Sequence, residues 1–317
     1  MDPYLSIVIP IYNEEENIPT LWARLSKVMA EAFVDPRKPW EIIFTDDGSR
    51  DSSLALLQDI ARREARVSVV EFNRNYGQHA AIFGAFAEAR GQIIITMDAD
   101  LQNPPEEIPK LVAKIEEGFD VVGGWRQGRM DNDSLFRTLP SKIVNAVTRK
   151  TTGVKLHDYG CMLRAYRREI VDAMLQCKER SSFIPALANS FAKRITEVPV
   201  AHAERAAGES KYGFWKLINL QFDLLTSFSL LPLQMLSVLG VIISALGIGF
   251  GMILLIYRVL HPEGAVQGVF TLFAVLFFFV GAQFLAFGLL GEYIGRIYQE
   301  VRDRPRYVIK KLHKADD

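Results

Sequence analysis

The chain has 317 residues, of which 49% are hydrophobic and 23% charged, and its formal net charge is zero. Because a neutral chain has no general basic field, no nucleic-acid partner is expected. Cys161 and Cys177 have no closely spaced partner. This argues against a disulfide framework or a thiolate metal site and favours a reducing, cytosolic setting.

The first half of the chain alternates short β-branched runs with longer amphipathic ones. The short runs predict strands over residues 5–9, 40–45, 67–72 and 93–97. Apolar residues at helical spacing predict helices over residues 14–32, 52–64 and 78–90. This alternation predicts a Rossmann-type α/β domain with a mostly parallel sheet, whose ligands bind where the strands end. Farther along, we expect strands over residues 121–123 and 195–201 and helices over 134–150 and 167–176.

The last third of the chain is far more apolar. Between residues 230 and 290 only Arg258 and Glu263 carry a formal charge. The uncharged stretches 230–257 and 268–291 both exceed the roughly 20 residues that cross hydrocarbon as a helix, so we predict two transmembrane helices joined as a hairpin. The amphipathic stretch 214–229 predicts a helix in the membrane interface, with a packed surface helix as the alternative.

The basic residues determine the predicted topology. They flank the hairpin at its outer ends, whereas the connection between the spans contains Arg258 alone, so the positive-inside rule places both chain ends in the cytoplasm. The first residues also lack the basic region and long apolar core of a signal peptide. We therefore expect a cytoplasmic α/β domain over residues 1–213, the interfacial helix over 214–229, the hairpin over 230–291 and a cytoplasmic basic tail over 292–317.

The strongest local signal is the pair Asp98 and Asp100, directly after a predicted strand. Two carboxylates at a strand end can converge on one hard cation, and such a cation suits a diphosphate. Asp46 and Asp47 follow the second predicted strand, and residues 10–14 end the first. One of these two acids is expected to accept a hydrogen bond from a uracil or ribose, with helix capping in this segment as the alternative.

These motifs resemble those of the family-2 glycosyltransferases with the GT-A fold. The resemblance rests on VIPIYNE at residues 8–14, DDGS at 46–49 and DADLQNPPE at 98–106. The last run and the two spans are similar to the branch that transfers sugars to polyprenyl phosphates. Within that branch, the members that modify lipid A are matched by NRNYGQH at 73–79, DYGCMLRAY at 158–166, GESKY at 208–212 and GEYIGR at 291–296. His157 stands where those members have a glycine, and the stretch after Arg129 differs.

The resemblance implies an inverting transfer of 4-deoxy-4-formamido-L-arabinose from a UDP-sugar to undecaprenyl phosphate at the bacterial inner membrane, with Mg²⁺ or Mn²⁺ as cofactor. It implies a nucleotide-sugar site formed by Pro10, Tyr12, Glu14, Asp47 and Asp98. It also implies that Asp98 and Asp100 bind the metal and that Asp100 and Asp158 are catalytic, with Asp158 as the base. A phosphate monoester is already largely a dianion at neutral pH, however, so Asp158 is alternatively an acceptor-orienting or electrostatic group.

Two basic clusters are candidate phosphate ligands. Arg205, Ser210 and Lys211 precede the predicted interfacial helix, where a lipid phosphate would meet the sugar; attraction to anionic lipid is their alternative role. Arg126 and Arg129 follow a predicted strand and are candidates for neutralising the leaving diphosphate or the acceptor.

The sequence is also compatible with three other functions. A polyprenyl-phosphate glucosyl- or mannosyltransferase would use the same residues. A transporter component or sensor would bind the nucleotide sugar without catalysis, although the predicted spans have no charged residue at mid-membrane to mark a transport pathway. A processive polysaccharide synthase is disfavoured by the small number of spans. The sequence is also compatible with assembly into a homo-oligomer.

Overall fold

The computed structural model describes residues 2–126, 157–158, 160–177, 183–201, 231–260, 268–302 and 304–315. Strands and helices alternate along its first half as predicted. The strands are β1 (Leu5–Ile11), β2 (Trp40–Asp46), β3 (Val67–Phe72), β4 (Ile93–Thr96), β5 (Val121–Arg126), β6 (Arg164–Arg167), β7 (Ile195–Val200) and β8 (Ile309–His313). The helices are α1 (Ile18–Ala32), α2 (Ser53–Arg63), α3 (Gln78–Glu88), α4 (Ile108–Glu116), α5 (Arg168–Gln176), α6 (Ile184–Phe191), α7 (Leu231–Leu260) and α8 (Val269–Val301). A short 3₁₀ helix, Pro105–Glu107, precedes α4.

The described strands form one sheet in the order β7-β5-β6-β4-β1-β2-β3-β8. Strands β4, β1, β2 and β3 pair in parallel, as do β5 and β7. Strand β6 is antiparallel to both of its neighbours, and β8 is antiparallel to β3. The predicted mostly parallel sheet is therefore confirmed. Because the strands other than β6 and β8 point the same way, the loops that follow them lie at one edge of the sheet.

The two faces of the sheet are buried against different helices. Ile7 and Ile9 of β1 belong to one core cluster together with Leu21 of α1, whereas Val8 belongs to a second cluster together with Phe86 of α3. This alternation follows from the two-residue period of a strand, and it explains why the sequence shows an unbroken apolar run there. The core thus lies in two layers, one on each side of the sheet.

Helix α1 begins later than predicted. The sequence pattern starts it at residue 14, but the helix begins at Ile18. Asn13 adopts a positive φ of 56°, and the N–H of Glu14 donates to Ser53 Oγ at 2.8 Å, so the chain turns before the helix starts. This turn keeps Tyr12 and Glu14 in the loop that follows β1.

Helices α7 and α8 form a second unit. Helix α8 has 33 residues and continues beyond residue 291, where the second span was predicted to end. Within the described residues, one segment is long and apolar enough to cross a membrane: Phe278–Gly295, with a mean hydropathy of 1.4. Helix α7 contains a shorter apolar run, Met235–Gly247. The pair of transmembrane helices therefore stays a prediction. Three other predictions lie outside the described residues: the helices over 134–150 and 214–229, and the domain end near Gly213.

The chain returns to the sheet after α8. Strand β8 pairs with β3, and the ring of Tyr307 stacks on Phe72 with the centroids 4.9 Å apart and the planes 10° apart. The buried carboxylate of Glu71 accepts hydrogen bonds from Lys310 Nζ at 2.6 Å and from His313 Nε2 at 2.8 Å. The last part of the predicted basic tail is thus an edge strand of the α/β unit.

Candidate active site

Hydrogen bonds connect the loops that follow β1, β2, β3 and β4. The N–H of Asp47, after β2, donates to the carbonyl of Ile11 in β1 at 2.8 Å. The Asp47 side chain in turn binds the loop after β3. Gln78, at the end of that loop, donates from Nε2 to Asp98 Oδ1 at 2.6 Å. The structure therefore brings the predicted nucleotide-binding and metal-binding residues to the same edge of the sheet.

Asp47 fixes the loop between β3 and α3. Its two carboxylate oxygens accept the backbone N–H groups of Tyr76 at 2.7 Å and Gly77 at 2.8 Å. Burial raises the pKa of Asp47, and these two N–H donors only partly oppose that rise. Gly48 has a φ of +70°, and a Cβ there would lie 2.6 Å from the carbonyl carbon of Arg74, so only glycine allows this approach. Each carboxylate oxygen has a second acceptor site, which leaves Asp47 able to receive a donor from a nucleoside.

The loop after β1 presents an aromatic ring beside buried acids. Tyr12 is 41% exposed, whereas Asp46 is buried and accepts the N–H of Ser49 at 3.2 Å. Burial raises the pKa of Asp46. Pro10 is half-buried at the strand end, and Glu14 Oε2 accepts Asn17 Nδ2 at 2.6 Å. An exposed ring at this edge can stack on a flat base.

Asp98 and Asp100 are half-buried, whereas Ala99 between them is only 4% exposed. Asp100 Oδ1 accepts the N–H of Gln102 at 3.1 Å, and Leu101 adopts a positive φ of 60° in this turn. No group of three or more His, Cys, Asp or Glu side chains suited to a metal occurs among the described residues. The two carboxylates still fit Mg²⁺ or Mn²⁺, because such ions are often held by one or two carboxylates, with waters and substrate phosphates as the other ligands.

Asp158 and Arg126 form a bidentate ion pair. Arg126 Nε lies 2.6 Å from Asp158 Oδ2 and Nη2 lies 2.9 Å from Oδ1, and the side chains are 10% and 13% exposed. Burial alone would lower the pKa of Arg126, but the bond to Asp158 and the negative charges of Asp158 and Asp98 outweigh it, so the pKa is raised. The guanidinium of Arg126 is therefore held in its charged form beside Asp158. From the sequence, Arg126 and Asp158 were predicted to have separate roles, whereas the structure joins them in one ion pair.

Comparison with known proteins identifies the family. The family model described as "Glycosyl transferase family 2" matches residues 6–175. The chain belongs to this family. It is 54% identical over 310 residues to the undecaprenyl-phosphate 4-deoxy-4-formamido-L-arabinose transferase of Klebsiella pneumoniae, covering 97% of this chain and 93% of that protein. The transferase of the same name from Salmonella choleraesuis is equally similar, at 54% identity with the same coverage.

Solved structures support the fold of this family-2 chain. The mannosyl-3-phosphoglycerate synthase of Rubrobacter xylanophilus superposes with a TM-score of 0.52 at 12% identity, covering 71% of this chain and 72% of that protein. A mycobacterial protein superposes with a TM-score of 0.51 at 21% identity, covering 71% of this chain and 75% of that protein. At these identities the likeness concerns the fold alone.

Two residues around Asp158 were not found from the sequence. Glu197 of β7 is buried on its side chain and accepts the N–H of Asp158 at 3.1 Å. Arg164 of β6 is fully buried and donates to the carbonyl of Asp158 at 3.0 Å. The sequence does contain a sign of both residues: each is an ionised side chain inside a short apolar run, and an ionised side chain that is buried requires a partner. The predicted phosphate ligands Arg129, Arg205, Ser210 and Lys211 lie outside the described residues of this family-2 chain.

Proposed function

We propose that this family-2 glycosyltransferase moves 4-deoxy-4-formamido-L-arabinose from a UDP-sugar to undecaprenyl phosphate, for the modification of lipid A. The observation that carries the proposal is the 54% identity, over 97% of the chain, to transferases of that name. The convergence of the family motifs at one sheet edge supports it. The lipid phosphate oxygen attacks the anomeric carbon from the face opposite the leaving diphosphate, which inverts that centre.

The donor side of the site is formed by the loops after β1, β2 and β4. The exposed ring of Tyr12 stacks on the uracil, Asp47 accepts a hydrogen bond from the nucleoside, and Pro10 and Glu14 border the nucleotide. Asp98 and Asp100 would hold Mg²⁺ or Mn²⁺ against the diphosphate. When bound, this ion supplies Lewis-acid stabilisation of the charge that develops on the leaving group.

The acceptor side is formed around Arg126. A lipid phosphate has a second pKa of about 6, so it is largely a dianion at neutral pH and needs little help to lose a proton. Within the described residues, the ion pair with Asp158 uses two of the five N–H donors of Arg126, and we assign other donors of this guanidinium to a phosphate oxygen. Asp158 then orients the arginine that binds the acceptor. Arg129, Arg205, Ser210 and Lys211 are proposed to complete this phosphate site next to the membrane.

The proposed organisation places the reaction at the cytoplasmic face of the bacterial inner membrane. Residues 1–213 form the catalytic domain, 214–229 an interfacial helix and 230–291 a two-helix hairpin. Single cysteines introduced at residues 261–267 should react with an impermeant reagent from outside the cell, whereas a cysteine at Lys314 should react only from the cytoplasm. The reverse labelling pattern contradicts this placement.

The proposed sugar is tested against its closest alternatives with the purified full-length protein in lipid nanodiscs that contain undecaprenyl phosphate. Radiolabelled UDP-4-deoxy-4-formamido-L-arabinose, UDP-glucose and GDP-mannose are supplied separately, and the lipid fraction is extracted and counted. We expect label in the lipid from the first donor alone. Label from UDP-glucose or GDP-mannose instead identifies a glucosyl- or mannosyltransferase. Tight donor binding with no labelled lipid from any donor identifies a binding protein without catalysis.

A further inference from the structure

Asp158 is held by charged residues from three different strands. Its carboxylate oxygens accept from Arg126 of β5, as described above. Its carbonyl oxygen accepts Nη2 of Arg164 in β6 at 3.0 Å, and its N–H donates to Glu197 Oε1 in β7 at 3.1 Å. Gly160 also donates its N–H to Asp158 Oδ1 at 3.0 Å. The backbone and the side chain of Asp158 are therefore both fixed by neighbouring groups.

Glu197 contributes more to this arrangement than one hydrogen bond. Its side chain is only 7% exposed. Its Oε2 atom accepts the backbone N–H of His157 at 2.7 Å and the ring Nδ1–H of the same residue at 2.9 Å. The His157 ring stacks on Trp125, with the centroids 4.5 Å apart and the planes 22° apart. Glu197 thus holds the segment that carries Asp158, and the ring of His157 connects this segment to Trp125 of β5.

The sheet leaves space for these buried charges at one glycine. Gly123 of β5 is the register partner of both Arg164 and Glu197. A Cβ at Gly123 would lie 3.3 Å from Arg164 Nη1 and 3.6 Å from Glu197 Cγ. Both side chains thus pass close to this position on their way to Asp158. Burying the carboxylate of Glu197 costs free energy, because the charge is removed from water. The three N–H groups of residues 157 and 158 offset this cost, and they can do so only while these two residues stay in place.

We propose that Glu197 is a positioning residue for the acceptor half of the reaction: it holds residues 157–158 so that Asp158 presents Arg126 to the lipid phosphate. This inference rests on the proposed function of the Asp158 and Arg126 pair. Among the described residues, the side-chain hydrogen bonds of Glu197 run to His157 and Asp158, and none runs to the loops after β1, β2 and β4 that form the proposed donor side. Its loss should therefore reduce lipid-dependent turnover and leave nucleotide binding unchanged.

The main variant is Glu197→Gln, which keeps the size of the side chain but has one acceptor oxygen instead of two. One of the two backbone N–H groups then faces an amide N–H₂ group. We expect turnover with undecaprenyl phosphate to fall about tenfold to a hundredfold, the range for loss of a hydrogen bond to a charged group. The Kd for UDP, measured by calorimetry, should change less than twofold. Glu169→Gln, at an exposed position of α5, is the matched control and should leave both quantities unchanged.

A double-mutant cycle with Asp158→Asn separates positioning from general stabilisation of the fold. If Glu197 acts through Asp158, then Glu197→Gln should cause little further loss of turnover in the Asp158→Asn background. A multiplicative loss in the double variant, or a parallel weakening of UDP binding, overturns the proposal. If Glu197→Gln does not fold, Glu197→Asp is used in the same cycle: it keeps the charge, and its shorter side chain should reach only one of the two N–H groups. The wild-type rate is measured first, since absence of lipid product from the wild type contradicts the proposed function and not the role of Glu197.

Discussion

The return of the chain to the sheet after α8 leads to a quantitative prediction. Replacing Tyr307 by alanine removes the ring that stacks on Phe72. A stacked aromatic pair contributes about 1 kcal/mol beyond its buried area, and half-burial of the ring contributes about 1 kcal/mol more. The O–H group of Tyr307 is 3.4 Å from the carbonyl of Phe83 and adds little at that distance. The docking free energy of the tail should thus fall by about 2 kcal/mol, which shifts the docked-to-undocked ratio about 30-fold.

Amide hydrogen exchange on the full-length protein in nanodiscs measures this shift. Local opening of an edge strand is read directly from the protection of its amides. In Tyr307→Ala, protection across Ile309–His313 should fall about 30-fold. The amide of Asn73 should lose protection as well, because its N–H donates to the carbonyl of Val308 at 3.2 Å. The matched control is Val308→Ala, since that side chain is 42% exposed. Unchanged protection in Tyr307→Ala, or an equal loss in the control, would show that the Tyr307 ring does not hold β8 on the sheet.

Three further predictions concern the site and the tail. Asp98→Ala should abolish sugar transfer while the melting temperature stays within a few degrees of the wild type, and EDTA should silence the wild type; full activity in EDTA contradicts a role for the metal. Asp158→Asn should reduce turnover sharply and change UDP affinity only a few-fold by calorimetry, so loss of UDP binding would move this residue to the donor side. Burial alone would raise the pKa of Glu71, but hydrogen bonds from Lys310 and His313 outweigh it and the pKa is lowered from 4.5. The ionised Glu71 therefore stabilises the docked tail fully above pH 4.5, and this stabilisation is lost as the pH falls below that value and the carboxylate is protonated. Amide exchange, corrected for its intrinsic pH dependence, should show that β8 loses protection on acidification in the wild type and not in Glu71→Gln.

The donor half of the site could be predicted because its residues follow strands. The apolar runs of β1, β2 and β4 are buried on both faces, so their ends were visible in the sequence as the points where polar residues begin. Parallel pairing then brings those ends together without any knowledge of long-range contacts. The sequence predicted that α1 begins at residue 14, four residues too early. The apolar periodicity begins there, but it does not encode the positive φ of Asn13 that turns the chain before the helix.

The acceptor half and the tail could not be predicted in the same way. Strand β6 has only four residues, and its first, Arg164, is a charged residue that is fully buried. Glu197 occupies a strand position that would ordinarily be solvated, and its partners lie 39 and 40 residues away in sequence. The adjacent lysines of β8, Lys310 and Lys311, are typical of an exposed basic tail. Each of these contacts depends on tertiary pairing that local patterns do not encode.

We propose that the residues at one sheet edge, among them Asp47, Asp98 and Asp158, transfer a sugar to a lipid phosphate. The most direct test is a single turnover of the full-length protein in nanodiscs with UDP-4-deoxy-4-formamido-L-arabinose and undecaprenyl phosphate, followed by mass spectrometry of the lipid and quantification of UDP. We expect one glycosylated undecaprenyl phosphate for each UDP released, and neither product from Asp98→Ala. Release of UDP without a glycosylated lipid, or unchanged product from Asp98→Ala, would contradict it.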